Sequence, residues 1–162
     1  MQETRFIDQY RLLGIEAPGA NMDRYEKADL IFRAACKVQQ IDPATLPLIY
    51  RLGHSEALVT SFAAQALQSS IIAFYKLQVI HNAIVGAWVA AWNNPRERKW
   101  SPFHWMNDPG FRFDGSNYDI TGAAGGSRLC FETEEQSDFA GIECIALYAD
   151  LNGAELAPAQ AA

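Results

Sequence analysis

A chain of 162 residues with 49% apolar, 12% aromatic and 20% charged side chains holds enough apolar mass for one real core, which excludes a disordered or collagen-like chain and leaves little for a second domain. The net charge of −6 is unevenly placed, with eight basic and eight acidic residues over 1–95, four and two over 96–113, and one and nine over 114–162. The C-terminal acidity argues against wrapping by duplex DNA, whose affinity comes from neutralised phosphates, while 96–113 offers a small basic patch.

Cys36, Cys130 and Cys144 are odd in number and lack CxxC spacing, so they read as buried thiols in a reducing compartment rather than as disulfides or a zinc site. Met1 to Asp8 carries charge and no apolar run, so no signal peptide is expected, and the expected location is the cytoplasm. Between Glu56 and Arg96 the one formal charge is Lys76. Gln65, Gln68, Ser69, Ser70, Gln78, His81 and Asn82 interrupt this run, so it reads as a buried central helix and not as a membrane span.

In chain order, Phe6, Tyr10 and Leu13 predict a short helix ending near Gly14 and Pro18. Asp23 or Asn21 then caps a helix whose stripe is Leu30, Ile31, Ala34, Ala35 and Val38, and which stops near Ile41. Asp42 to Pro47 reads as a turn. Ser55 to Trp92 reads as the central helix, with Phe74, Leu77, Ile80, Ile84 and Trp88 along one face and Ile72, Tyr75, Val79 and Ala83 along a second, breaks being favoured at Ser69, Ser70 or Gly86. Two apolar stripes on one helix predict cover from a second copy, hence a homo-oligomer.

Aromatics and glycines dominate 96–131. The alternation at Phe111 and Phe113 and at Leu129 and Phe131 predicts an antiparallel hairpin between those segments, with a further short strand possible around Tyr118-Asp119-Ile120. Thr133-Glu134-Glu135-Gln136 is a capping box that opens a closing helix, whose buried face is Ala140, Cys144, Leu147, Tyr148 and Leu151 and which ends near Asn152-Gly153. The expectation is a single α+β domain over 1–153: a mainly helical layer (about 1–95) around a long central helix, then a small antiparallel β-element with a closing C-terminal helix (about 96–153). Residues 154–162 read as a flexible tail.

The stretch Phe111-Arg112-Phe113, the block Gly126-Ser127-Arg128-Leu129-Cys130-Phe131 followed by Glu132-Thr133-Glu134, and the closing helix with Leu147-Tyr148 resemble a family of small uncharacterised proteins of Bacteroidetes and of their phages and prophages. Asp42-Pro43 to Leu46-Pro47, Ile71 to Ile80 and Trp92-Asn93-Asn94 follow that family's order, so the resemblance spans roughly residues 25–151. Gly86-Ala87-Trp88 to Trp92 stands where the family has Gly-Trp followed by Pro-Asp-Trp, and acids such as Asp150 replace its C-terminal lysines. The resemblance implies a phage or prophage setting and carries no established activity.

For chemistry, Cys130 with His54, His81 or His104 is the available nucleophile arrangement, but no spacing selects a pair, and a strand-buried thiol is the simpler reading. His104 with Asp108 and Asp114 would need the loop to converge them on a metal, so no metal and no cofactor is expected. Gly122 to Ser127 precedes a strand and lacks the Lys-Ser/Thr pair of a phosphate loop. What remains is the concentration of aromatics and arginines at Trp100, Phe103, His104, Trp105, Arg112 and Arg128, which reads as core or as a surface for a protein or small-molecule partner. The expected function is a non-enzymatic phage- or prophage-type protein acting by binding or assembly, as a virion component or as a host-takeover or anti-defence factor. The alternative is a single-stranded nucleic-acid-binding protein using Arg96, Arg98, Lys99 and Arg112, disfavoured by the acidity, and a small hydrolase or transferase ranks third.

Overall fold

The computed structural model describes residues 5–44, 62–122 and 127–158. Among them are α1 (Ile7–Leu12), α2 (Arg24–Val38), α3 (Phe62–Val85), β1 (Lys99–Trp105), β2 (Arg112–Asp119), a 3-10 turn (Ser127–Leu129), α4 (Glu134–Glu143) and α5 (Ile145–Asn152). The fold is α+β: α3 packs between α2 and α5, and the antiparallel β1–β2 hairpin lies on α4.

Local chemistry sets the helix ends. Asp23 caps α2 by accepting from the amides of Tyr25 at 2.8 Å and Glu26 at 3.3 Å, and Ile31, Ala34 and Ala35 of its predicted stripe are buried. The capping box forms as expected, with the Thr133 hydroxyl accepting from Gln136 N–H at 3.2 Å and the Gln136 side chain from Thr133 N–H at 3.3 Å. The central helix ends earlier than the pattern suggested. Gly86 sits at φ 59°, a left-handed backbone that glycine adopts without a Cβ penalty, and this stops α3 at Val85. Trp88 and Trp92 therefore lie beyond the helix, while the predicted start at Ser55 to Ser61 lies outside the described residues. Leu77, Ile80 and Ile84 of one face and Val79 and Ala83 of the other are buried, because α2 and α5 flank the helix. The closing helix divides at Cys144, whose φ and ψ of −107° and 21° leave the helical region.

The strand pairing differs from the expected one. β2, which begins at Arg112, pairs with Lys99–Trp105 and not with Leu129–Phe131. Leu129 belongs to the 3-10 turn, and Phe131 makes a single bridge to Trp100, with N–H···O distances of 2.9 and 2.7 Å. Tyr118 and Asp119 form the end of β2 rather than a separate strand. The pairing slips between Phe103 and His104, leaving Asp114 as the extra residue of a β-bulge.

Residues 154–157, expected as the start of a frayed tail, are tied down. Phe111 N–H donates to Glu155 O at 2.8 Å, Ala157 N–H donates to Phe111 O at 3.0 Å, and the Arg24 guanidinium holds Ala157 O at 2.7 Å. Residues 159–162, and 123–126 of the Gly-rich segment, lie outside the described residues.

Candidate functional site

Alternation splits the hairpin into two faces with different fates. Trp100, Pro102 and His104 of β1 share a face with their cross-strand partners Tyr118, Ser116 and Phe113; the Pro102, His104, Ser116 and Phe113 part of this face lies on α4, while Tyr118 at its far end is exposed. Gly141 of α4 makes that contact possible: a Cβ there would come within 2.8 Å of Pro102 Cβ and closer still to the Phe113 ring. Ser116 Oγ lies 2.7 Å from both Ser137 Oγ and Asp138 Oδ1, and Asp138 also pairs with Arg5. These polar contacts fix the hairpin's position on α4.

His104 belongs to this anchoring face. Its ring stacks on Phe111 at 4.6 Å, meets Phe113 at 5.8 Å and Tyr148 at 4.9 Å, and Nε2 is 3.4 Å from Gly141 O. Burial pushes its imidazole down to about 4, with the Gly141 hydrogen bond opposing, so His104 is neutral near pH 7. It packs in the seam between the hairpin and the helices, the core member of the two readings the sequence left open for this cluster.

The opposite face carries Phe103, Trp105 and Arg112. Phe103 is 40% exposed, Trp105 42% and Met106, at the tip, 60%; the Phe103 and Trp105 rings meet edge to face at 5.5 Å. Arg112 stands opposite Trp105 and donates to Asn107 Oδ1 at 2.7 Å. Of the expected site, Phe103, Trp105 and Arg112 are thus brought together. Trp100 packs against Tyr118 at 5.1 Å on the inner face, and Arg128 sits on the 3-10 turn beside α3, where its carbonyl accepts from Gln78 at 3.4 Å. Met106, the most exposed of the group, was missed because a lone methionine next to a turn carries no periodic signal.

The basic patch does not assemble as a charge row. Lys99 is 1% exposed, and its ammonium donates to the carbonyls of Asn94 at 3.2 Å, Glu97 at 2.9 Å and Ile120 at 2.8 Å, with the Glu97 carboxylate at 3.3 Å. It satisfies the base of the hairpin and faces no solvent. Arg98 lies over the Tyr118 ring at 4.5 Å, and Asp108, Asp114 and Asp119 are exposed on the same hairpin.

Several further titratable groups are internal. Glu143 accepts from Tyr10 OH at 2.6 Å and from Lys27 at 3.0 Å, and burial, followed by that carboxylate, pushes the Tyr10 phenol up. Burial also raises the Cys130 and Cys144 thiols, the opposite of what activates a nucleophile. His81 is buried and donates to Cys130 O at 2.7 Å. Among the described residues no group of three His, Cys, Asp or Glu is placed to hold a metal, and no helix is long and apolar enough to cross a membrane. No family model, curated protein or solved structure matches the chain.

Proposed function

We propose that this chain is a non-enzymatic binding or assembly protein that engages a partner through the outer face of its hairpin. The observation that carries the reading is the side-by-side exposure of Phe103 and Trp105 on a strand pair packed on α4 through its other face, with Met106 exposed just beyond β1. Rigid aromatic side chains held ready in this way lose little entropy on binding and supply the type of residue that dominates interface energy. A protein surface or an apolar small molecule is the partner chemistry that fits. The phage or prophage setting, and with it a bacterial cytoplasm or a virion as location, rests on the resemblance of the segments around residues 111–134.

Single-stranded nucleic acid is the second reading, favoured by the stacking of Arg98 on Tyr118. It ranks lower because Lys99 is withdrawn from solvent and three carboxylates share the hairpin.

The test is a pair of variants. Trp105→Ala removes a half-exposed side chain and is expected to leave stability within about 1 kcal/mol while abolishing partner engagement in the producing cells. Loss of engagement in Arg96→Ala/Arg98→Ala with Trp105→Ala fully active, together with salt-sensitive oligonucleotide binding, would replace this reading with the nucleic-acid one.

A further inference from the structure

Trp100 spends both its N–H and its C=O on Phe131, so both point away from β2. Its cross-strand neighbour Tyr118 must then turn its own backbone groups away from β1, as residues opposite one another in a non-hydrogen-bonded antiparallel pair do. Pro102 and Ser116 form the next such pair. At the other end Phe111, just before β2, gives its outward groups to Glu155 and Ala157. β2 therefore has an outer edge whose first rung is taken by the C-terminal segment and whose following rungs, Phe113, Ser116 and Tyr118, have no backbone partner among the described residues. The far edge of β1 differs: Trp100 is already paired there, and Pro102 has no N–H to offer.

An open edge of this kind is a template for one more strand. We propose that a second copy of this chain fills it, the two β2 strands pairing antiparallel about a two-fold axis at Asn117. Ser116 of each copy then exchanges hydrogen bonds with the partner's Tyr118, and the two hairpins become one four-stranded sheet.

Charge favours a copy of this chain as the occupant. β2 starts with Arg112 and ends with Asp119, and neither is ion-paired among the described residues. Antiparallel self-pairing brings opposite ends together: Asp119 falls opposite the partner's Gly115, which has no side chain in the way, next along that face from the partner's Arg112. At the axis two neutral amides of Asn117 meet, so no like charges are opposed.

The arrangement leaves the Phe103 and Trp105 face of both copies on the same side of the sheet, which makes the dimer bivalent toward a repeated partner. Self-association rests on the backbone edge of β2 and partner engagement on Phe103 and Trp105 of β1, so Trp105→Ala is expected to leave the dimer intact.

Sedimentation of the full chain across the micromolar range tests the proposal. A reversible dimer is expected, and Asn117→Lys, an exposed position, weakens it by at least about tenfold because two ammonium groups meet at the axis. Asn117→Cys is expected to give a disulfide-linked dimer under mild oxidation, since such opposed residues hold their Cα atoms about 4.5 Å apart. Far-UV circular dichroism checks that both variants fold. A monomer throughout the range, or a dimer insensitive to Asn117→Lys and not cross-linked through Cys at 117, overturns it.

Discussion

Acidification should loosen the hairpin from the helical body through one residue. His104 is neutral in the fold because burial holds its imidazole down at about 4, whereas in the unfolded chain it titrates near 6.5. The folded value lies below the unfolded one, so the unfolded chain binds the proton first as pH falls. The stability tied to neutral His104 is fully present above about pH 6.5 and is lost progressively toward pH 4. At pH 4.5 the two values put the loss at about 2.5 kcal/mol, a large part of the stability of a small domain. His104→Phe keeps a ring against Phe111 and Tyr148 and removes the titration, at the cost of the hydrogen bond to Gly141 O. Urea unfolding of both proteins at pH 7.5 and pH 4.5 isolates the effect, because acid effects on carboxylates are shared and cancel in the double difference. The wild type is expected to lose about 2.5 kcal/mol more than the variant; equal losses would show that His104 is not buried as described.

Three further substitutions probe the packing. Gly141→Ala drives a methyl group into Phe113 and Pro102 and should cost about 1–3 kcal/mol of unfolding free energy; a neutral result would mean that the hairpin does not lie on α4. Lys99→Met keeps the stem but leaves the carbonyls of Asn94, Glu97 and Ile120 without their donor, for a loss of about 3 kcal/mol in a denaturant titration. A loss typical of exposed lysines, within about 0.5 kcal/mol, would place Lys99 back in a surface patch. Cys130→Ser puts a hydroxyl at a buried position and should cost about 1–3 kcal/mol, and native Cys130 should react with thiol reagents only as fast as the protein unfolds. Rapid labelling would point to a reactive thiolate instead.

The parts of this fold that were legible in the sequence are those written in adjacent residues. The caps at Asp23 and Thr133 need a side chain and an amide two or three residues apart, and both form where the pattern places them. Most of the buried faces of α2 and α3 follows from spacing in the same way, although Val38 and Phe74 of the predicted stripes are exposed. The hairpin's partner strand was not legible, because Pro102 and the polar neighbours of β1 hide its alternation. Pro102 is tolerated since its missing N–H faces away from β2. The period-two pattern at Leu129 and Phe131 instead comes from a turn followed by one bridge to Trp100. His104 shows the limit for sites: its position among aromatics is the same in a surface cluster and in a packed seam, and only Phe111, held by Glu155 and Ala157 from the far end of the chain, decides between them.

The proposed role of the hairpin's outer face is tested most directly by placing a photo-crosslinking phenylalanine analogue at position 105 and irradiating the cells that produce the protein. A discrete adduct at that position, lost when Phe103→Ala is added and absent when the analogue stands at exposed Asp8 instead, is the expected result. Adducts of the same kind at both positions, or none at 105 while position 8 cross-links, would contradict it.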